Sequence, residues 1–191
     1  MRRAVVVLGV VAALCVLAST ALAVHAGRRA DRLWLRAHGW ELAVPGGRWR
    51  LEPATRAIRY DDDALVRAPA VLDVGFCPSA TSSSRAFAGI LPPQPGAVAD
   101  VVAATARTWA RAIGRSDAPA VGHVRSSRVD LDVPAAAGPC SPTTEHLTVV
   151  GRRGDAGVVA ALVVRDVGEP DDLTAVDAEA ILATLRPASG G

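Results

Sequence analysis

Gly157–Val167 has the sequence GVVAALVVRDV and contains a continuous apolar run, VVAALVV, with turn residues on both sides. An apolar run this short, bounded by turns, is typical of a strand that is buried on both faces. We therefore expect it to be a central strand of a sheet. Residues 147–150 form another apolar segment, and the turn at 152–155 separates the two. This spacing predicts a β-hairpin.

Further extended segments are expected on the N-terminal side of this hairpin. Apolar and acidic residues alternate through residues 129–133, which is the pattern of a half-buried strand. Turn residues separate the remaining pieces, which are two short segments around a Pro-Gly-Gly turn in 40–52, one in 64–77 broken at Pro69, and one at 85–91.

Two helices are predicted in the same part of the chain. Residues 98–113 place their apolar side chains, Trp109 among them, on one side of a helix. Thr174, with Asp177 three residues later, resembles a capping box and predicts a last helix that Pro187 ends. The expected fold class is therefore α+β, with an antiparallel β-sheet flanked by α-helices.

An uncharged apolar run begins at Ala4, ends at Val24 and follows two arginines. As a helix it spans roughly 30 Å, the thickness of a bilayer core. It is interpreted either as an uncleaved signal anchor, favoured by its length, or as a signal peptide cleaved after Ala23 in an A-x-A site. We assign residues 1–26 to this segment, with the N-terminus in the cytoplasm and the following domain outside. The protein is secreted if cleavage occurs.

Residues 27–40 are predicted to form a juxtamembrane amphipathic helix. Apolar residues recur there at helical spacing, and arginines occupy the other positions. Trp34 and Trp40 are candidate interface anchors, with the arginines meeting anionic lipid. An ordinary helix that packs on the domain explains the pattern equally well. The α+β domain is expected at 41–188, with a tail at 189–191.

Two cysteines follow the apolar run, Cys77 and Cys140, and in an exported chain such a pair predicts a disulfide. A catalytic thiol or a metal ligand is the alternative. No histidine lies within a few residues of Cys77 and no CxxC is present. Cys15 lies within the apolar run and follows Leu14, so it does not fit a lipobox.

No stretch predicts a catalytic, cofactor or metal site. Asp61, Asp62 and Asp63 are adjacent but lack the spacing of a calcium loop. The serines of 79–84 have no nucleophile motif, and the four histidines form neither HExxH nor HxH. A net charge of +2 gives no nucleic-acid footprint. We expect the aspartates to lie in an acidic surface loop, the serines to be turn residues and the histidines to occupy surface positions.

Several short motifs carry a resemblance over about residues 41–188. They are VPGGRW at 44–49, RAFAGI at 85–90, TWA at 108–110 and ILATLRP at 181–187, together with the two cysteines. The chain resembles uncharacterised extracytoplasmic domains of actinobacteria with the PsbP-like and LpqN-type fold. The resemblance implies an antiparallel sheet flanked by helices and a role in binding. It transfers no catalytic residue, and the lipobox of the LpqN type is absent here.

Together these features predict a membrane-tethered, extracytoplasmic, non-enzymatic binding or interaction domain of the cell envelope. Its expected partners are membrane lipid, through the N-terminal helix, and an envelope protein or small ligand. The alternative is an envelope hydrolase whose site is assembled only by folding. His123 or His146 in a cleft, beside a carboxylate and a hydroxyl, would favour that alternative.

Overall fold

The computed structural model describes residues 32–114, 121–125, 127–135, 140, 142–168 and 171–189. The described residues from Leu33 onward belong to one compact unit. The apolar run at 4–24 and residues 27–31 of the expected juxtamembrane helix lie outside the described residues. Within the described part, no helix is long and apolar enough to cross a membrane.

The described chain is α+β and rich in antiparallel sheet, with two helices. The strands in chain order are β1 (Arg32–Ala37), β2 (Trp40–Pro45), β3 (Trp49–Leu51), β4 (Ala57–Arg59), β5 (Leu65–Arg67), β6 (Ala70–Leu72), β7 (Ala86–Ile90), β8 (Val121–Arg125), β9 (Arg128–Pro134), β10 (Thr144–Gly154), β11 (Gly157–Val167) and β12 (Arg186–Pro187). The helices are α1 (Val98–Gly114) and α2 (Ala175–Leu182).

The centre of the fold is the hairpin of β10 and β11. The two strands pair over their whole length, from Thr144 opposite Val167 to Gly154 opposite Gly157. Only Asp155 and Ala156 connect them. Seven consecutive residues of β11 are buried. The predicted hairpin and central strand are therefore confirmed, with β10 longer than its apolar core suggests.

A seven-stranded antiparallel sheet is built around this hairpin in the order β3-β6-β7-β11-β10-β9-β8. A second sheet has the order β1-β2-β12, and β4 pairs with β5 alone. Successive residues of a strand point to opposite faces. The even-numbered residues of β11 from 160 to 164 therefore belong to one core and the odd-numbered residues to another.

Helix α1 covers one face of the large sheet, which we call the α1 face. Its apolar side packs over β9 and β10, and Trp109 and Ile113 are almost completely buried there. Val66 of β5 joins the same core by crossing β7 at Gly89, where a Cβ atom would lie 2.1 Å from the Val66 side chain. The predicted helix at 98–113 is confirmed.

The opposite face, which we call the α2 face, is covered by α2 and the three-stranded sheet. The Thr174 hydroxyl accepts a hydrogen bond from the Asp177 amide at 3.1 Å, so the predicted N-cap is confirmed. The helix ends at Leu182, earlier than expected. Arg186 and Pro187 pair with β2 instead of closing the helix.

The juxtamembrane helix predicted for 27–40 is wrong for its described part. Residues 32–37 form strand β1, and β2 begins at Trp40. The same six residues also alternate, with Leu35 buried and Arg36 exposed. A six-residue pattern satisfies both periods, and pairing with β2 selects the strand. Trp40 is 8% exposed within the core, so it is not an interface anchor.

Trp34 is half-buried on β1, where the Arg186 guanidinium stacks 4.5 Å from the centre of its ring. The Arg186 Nε–H also donates to the buried Glu41 at 2.7 Å, and Arg36 approaches the same carboxylate at 3.4 Å. These contacts join the strands of the small sheet. They explain the position of Trp34 without a lipid partner.

Candidate functional site

A cleft of about 450 Å³ opens on the α1 face, at the end of the β10–β11 hairpin far from its turn. Three parts of the chain form its walls. One is the stretch 57–60 at β4, the second is the loop at 76–85, and the third is the end of the large sheet formed by β7, β10 and β11. The cleft therefore lies between segments that are distant in sequence.

Three ionisable side chains cross the sheet end of the cleft in a row. Glu145 of β10 is directly opposite Asp166 of β11. On the other side of Asp166, its backbone amide donates to the Arg85 carbonyl at 2.9 Å, just before β7 begins. All three side chains line the cleft. We call Arg85, Asp166 and Glu145 the charged row.

Burial changes the acidity of the carboxyl group in this row that belongs to Glu145. Removal from water disfavours the carboxylate and raises the pKa of Glu145 to about 7, although the hydrogen bond from Tyr60 works in the opposite direction. The Tyr60 hydroxyl donates to Glu145 Oε2 at 3.1 Å. Glu145 therefore exchanges its proton near neutral pH, unlike an exposed glutamate.

Arg85 and Asp166 form the oppositely charged part of the row. Arg85 Nη1 lies 3.7 Å from Asp166 Oδ2, and only 8% of the Asp166 side chain is exposed. The Arg85 guanidinium also stacks on Phe76, 4.0 Å from the ring centre. The cation–π attraction to Phe76 helps to hold Arg85 at this end of the cleft.

The next row towards the core is apolar. Phe87 lies two residues after Arg85, and Val164 lies two residues before Asp166. Both line the cleft. Behind them the rings of Tyr60, Phe87 and Trp109 contact each other with centres 5.7 to 6.1 Å apart. The cleft therefore combines a charged end with an apolar wall.

The disulfide between Cys77 and Cys140 closes one side of the cleft, with its Cα atoms 5.8 Å apart. This pairing confirms the sequence prediction. The adjoining serines act as turn residues, as expected: the Ser83 hydroxyl accepts from the Cys77 amide at 3.0 Å. The disulfide joins the 76–85 loop to the segment before β10, so it fixes two walls relative to each other.

The α2 face of the large sheet carries a second polar cluster, on β9 and β10. The Arg128 guanidinium donates to both oxygens of Asp130 at 2.6 and 2.9 Å and to Glu179 of α2 at 2.9 Å. The Thr148 hydroxyl donates to Asp130 at 2.9 Å. Burial raises the pKa of Asp130, but the hydrogen bonds from Arg128 and Thr148 outweigh it, so the pKa of Asp130 is lowered.

His146 lies at the edge of this cluster between two carboxylates. Its Nδ1 is 2.6 Å from Asp132 Oδ1, and its Nε2 is 3.7 Å from Asp130 Oδ1. Two carboxylates are thus close to His146, but His146 does not line the cleft, which the hydrolase alternative requires. The Thr148 hydroxyl is buried and donates to Asp130 rather than to the histidine. This arrangement does not form a nucleophile–base pair.

The other sequence candidates are separate from the cleft. His123 lies exposed on β8, and His38 occupies the turn between β1 and β2. Asp61 accepts from two backbone amides of its own turn, which is the use expected of an acidic loop. Over the described ranges, no group of three or more His, Cys, Asp or Glu residues could hold a metal ion.

Sequence reasoning missed the charged row and Tyr60. A usable signal was present at one position, because Glu145 shares its strand face with the apolar Leu147 and Val149. An ionisable residue at an inward position of a strand is unusual and marks a candidate site. The neighbours of Glu145 could not be found this way, because they depend on the register of three strands.

Comparison with known proteins gives a family but no activity. The model of the family described as Domain of unknown function (DUF8017) matches residues 35–190. No curated protein matches the chain. The matched range includes both helices, the whole seven-stranded sheet and every residue of the charged row. The chain therefore belongs to the domain-of-unknown-function family DUF8017.

Proposed function

We propose that this chain binds a small molecule in the cleft and does not transform it chemically. The observation that carries the proposal is a concave site of about 450 Å³ in which a charged row meets an apolar wall. Small-molecule sites in proteins are clefts of roughly 300–1,000 Å³ with mostly apolar walls and a few fixed polar groups. Burial raises the pKa of Glu145 to about 7, and a carboxyl group with a shifted pKa in a cleft is a candidate contact for a ligand.

The proposal places this binding domain outside the cytoplasm, beside a membrane. The apolar run from Ala4 to Val24, with Arg2 and Arg3 before it, supports a single-pass anchor with a cytoplasmic N-terminus. The Cys77–Cys140 disulfide supports an oxidising compartment. The resemblance to PsbP-like and LpqN-type envelope domains of actinobacteria supports the same placement.

A comparison of two tryptophan variants tests the binding function. The full chain is purified in mild detergent after exposure to a small-molecule extract, and the retained compounds are identified by mass spectrometry. Ser84→Trp places an indole in the cleft, whereas Thr55→Trp adds the same group at an exposed turn outside it. We expect a compound retained by wild type and Thr55→Trp and absent from Ser84→Trp. Equal retention by both variants contradicts the proposal.

The membrane placement has its own test. The intact mass of the mature chain separates retention of residues 1–23 from cleavage after Ala23. A retained segment that stays in the membrane pellet after alkaline extraction is the expected result. A full-length chain that alkaline extraction releases completely from the membrane contradicts the anchor.

A hydrolase is the second candidate, because the cleft holds two carboxyl groups in different environments. Glu145, with its pKa raised to about 7 by burial, lies opposite Asp166, which is close to Arg85. A carboxyl group that titrates near neutral pH is suited to general acid–base catalysis. Turnover of glycoside or ester substrates that Glu145→Gln lowers about 100-fold would favour this candidate. Absence of such a Glu145-dependent rate favours binding alone.

A further inference from the structure

The charged row presents opposite charges side by side at the end of an apolar cleft. Arg85 and Asp166 are 3.7 Å apart at their nearest charged atoms, and Glu145 follows on the next strand. We propose that the cleft binds a small zwitterion of the amino-acid class, with its carboxylate at Arg85 and its ammonium group between Asp166 and Glu145. This inference rests on the proposed binding function and names the ligand of the same site.

Arg85 supplies the group that carboxylate recognition requires. Its guanidinium carbon lies over the Phe76 ring, 4.0 Å from the ring centre. A guanidinium can donate two parallel N–H bonds to a carboxylate in the plane of its fork. About 20% of the Arg85 side chain is exposed, so a ligand can reach it from the cleft.

The ammonium end is formed by two carboxyl groups on neighbouring strands. Asp166 and Glu145 are directly opposite in the β10–β11 pairing, which brings their side chains to about 5 Å from each other at Cβ. An ammonium group has three N–H donors and can contact both carboxyl groups together. The two ends of the row are one strand apart, which matches the short separation of the two charges in an α-amino acid.

The apolar wall accounts for the rest of such a ligand. Phe87 and Val164 lie one row deeper in the same cleft, and the Tyr60 ring closes it from the side. A carboxylate and an ammonium group at the charged row direct the ligand side chain towards these residues. We therefore expect a preference for apolar or aromatic amino acids over acidic and basic ones.

Glu145 gives the binding a pH signature. The groups that face it are Asp166 from β11 and the Tyr60 hydroxyl, with Arg85 and Arg59 elsewhere in the cleft lining. Burial raises the pKa of Glu145 to about 7. A ligand ammonium favours the carboxylate, so binding near neutral pH releases a proton. Affinity for a zwitterion or a cation should therefore rise with pH between about 6 and 8. A purely anionic ligand should show the reverse dependence.

Three related probes test the inference by titration calorimetry on the full chain in detergent. L-phenylalanine carries both charges, N-acetyl-L-phenylalanine only the carboxylate, and phenethylamine only the ammonium group. We expect phenylalanine to bind at least about tenfold more tightly than either of the others, since each omitted charge removes a charge-assisted hydrogen bond. Heats measured in buffers of different ionisation enthalpy should show proton release at pH 7.

Two variants that each remove one charge sharpen the result. Arg85→Gln should lower phenylalanine affinity about tenfold and leave phenethylamine binding nearly unchanged, whereas Asp166→Asn should weaken both phenylalanine and phenethylamine. Circular dichroism and melting temperature report whether each variant folds. The probe series on wild-type protein decides the inference even if a variant does not fold.

Several outcomes overturn the inference. Equal affinity for phenylalanine and its N-acetyl form shows an anion site, and equal affinity for phenylalanine and phenethylamine shows a cation site. If no probe binds while the wild type still retains another compound that Ser84→Trp lacks, the zwitterion is wrong and the binding function stands. If no compound depends on Ser84, the proposed function itself fails.

Discussion

The two faces of the seven-stranded sheet use ionisable residues in different ways. On the α2 face, Arg128 donates three hydrogen bonds to Asp130 and Glu179, and His146 lies 2.6 Å from Asp132. On the α1 face, the charged row lines a cleft of about 450 Å³. One face of the sheet therefore carries an ion network that joins β9 to α2, and the other face carries a row of charges that lines open volume.

This difference separates a structural role from a binding role. Arg128 connects β9 to α2, so its charge is used to hold two elements together. Glu145 accepts a hydrogen bond from Tyr60, which forms part of a wall of the cleft. Burial raises the pKa of Glu145 to about 7. A perturbed carboxyl group in a cleft is the better candidate for a functional site. Substitutions on the α2 face should therefore lower stability, whereas substitutions in the charged row should also affect ligand binding.

The largest effect is expected from the covalent link at the α1 face. Reduction of Cys77–Cys140, or the double change Cys77→Ser and Cys140→Ser, opens a link between residues 63 positions apart. The loop-entropy argument gives a loss of about 4 kcal/mol in the free energy of unfolding. Urea unfolding with and without a dithiol measures it. An unchanged unfolding midpoint under reducing conditions would show that the link does not constrain the unfolded chain.

The next effect concerns Glu145 and depends on pH. The pKa of Glu145 is raised from 4.5 to about 7 in the folded state, so the folded chain binds the proton more tightly than the unfolded chain. Its contribution to stability is fully present below about pH 4.5 and is lost as pH rises to about 7. We expect this loss to be about 3 kcal/mol.

Glu145→Gln removes that dependence while keeping a neutral side chain of similar size. Relative to wild type, the variant should become more stable between pH 4 and pH 8 by about 3 kcal/mol. Urea unfolding at both pH values measures the difference. A constant difference between the two proteins would mean that Glu145 titrates as an ordinary exposed glutamate.

A smaller loss is expected when the ion network of the α2 face is broken. Arg128→Ala removes the hydrogen bonds to Asp130 and Glu179 and should lower the free energy of unfolding by about 2 kcal/mol. Arg153→Ala is a control, because that side chain lies exposed and donates a hydrogen bond to the Gly96 carbonyl. Thermal unfolding compares the two. A loss no larger than that of Arg153→Ala would reduce the network to surface ion pairs.

The smallest expected effect is at the helix that covers the α2 face. Thr174→Ala removes the hydroxyl that caps α2 and should cost about 1 kcal/mol. Thr174→Ser keeps the hydroxyl and should cost less than half as much. Both changes leave the cleft untouched, so a change in ligand retention would show that the two faces are coupled.

The fold could be predicted where one pattern was long enough to exclude the alternatives. The apolar run of β11, the amphipathic face of α1 and the two cysteines each indicated the correct element or link. The segment at 32–37 failed because six residues fit both a helix and a strand. The two residues of β12 carry too little pattern to predict, since pairing with β2 alone creates that strand.

The candidate site could not be predicted for a different physical reason. Arg85, Asp166 and Glu145 have no characteristic spacing along the chain, and only the pairing register brings them into one row. Strand register depends on the packing of the whole sheet. The disulfide, which does reach the cleft, could be predicted because an exported cysteine pair can be recognised without knowledge of the fold.

The most direct test of the account compares two aspartates on the two faces of the hairpin's sheet. Asp166→Asn alters the cleft, and Asp130→Asn makes the same chemical change on the α2 face. The small molecules retained by each full-length variant are quantified by mass spectrometry, and their melting temperatures are recorded. The account predicts loss of retained ligand in Asp166→Asn only, with Asp130→Asn less stable but fully loaded. Equal retention by both variants, or loss only in Asp130→Asn, would contradict it.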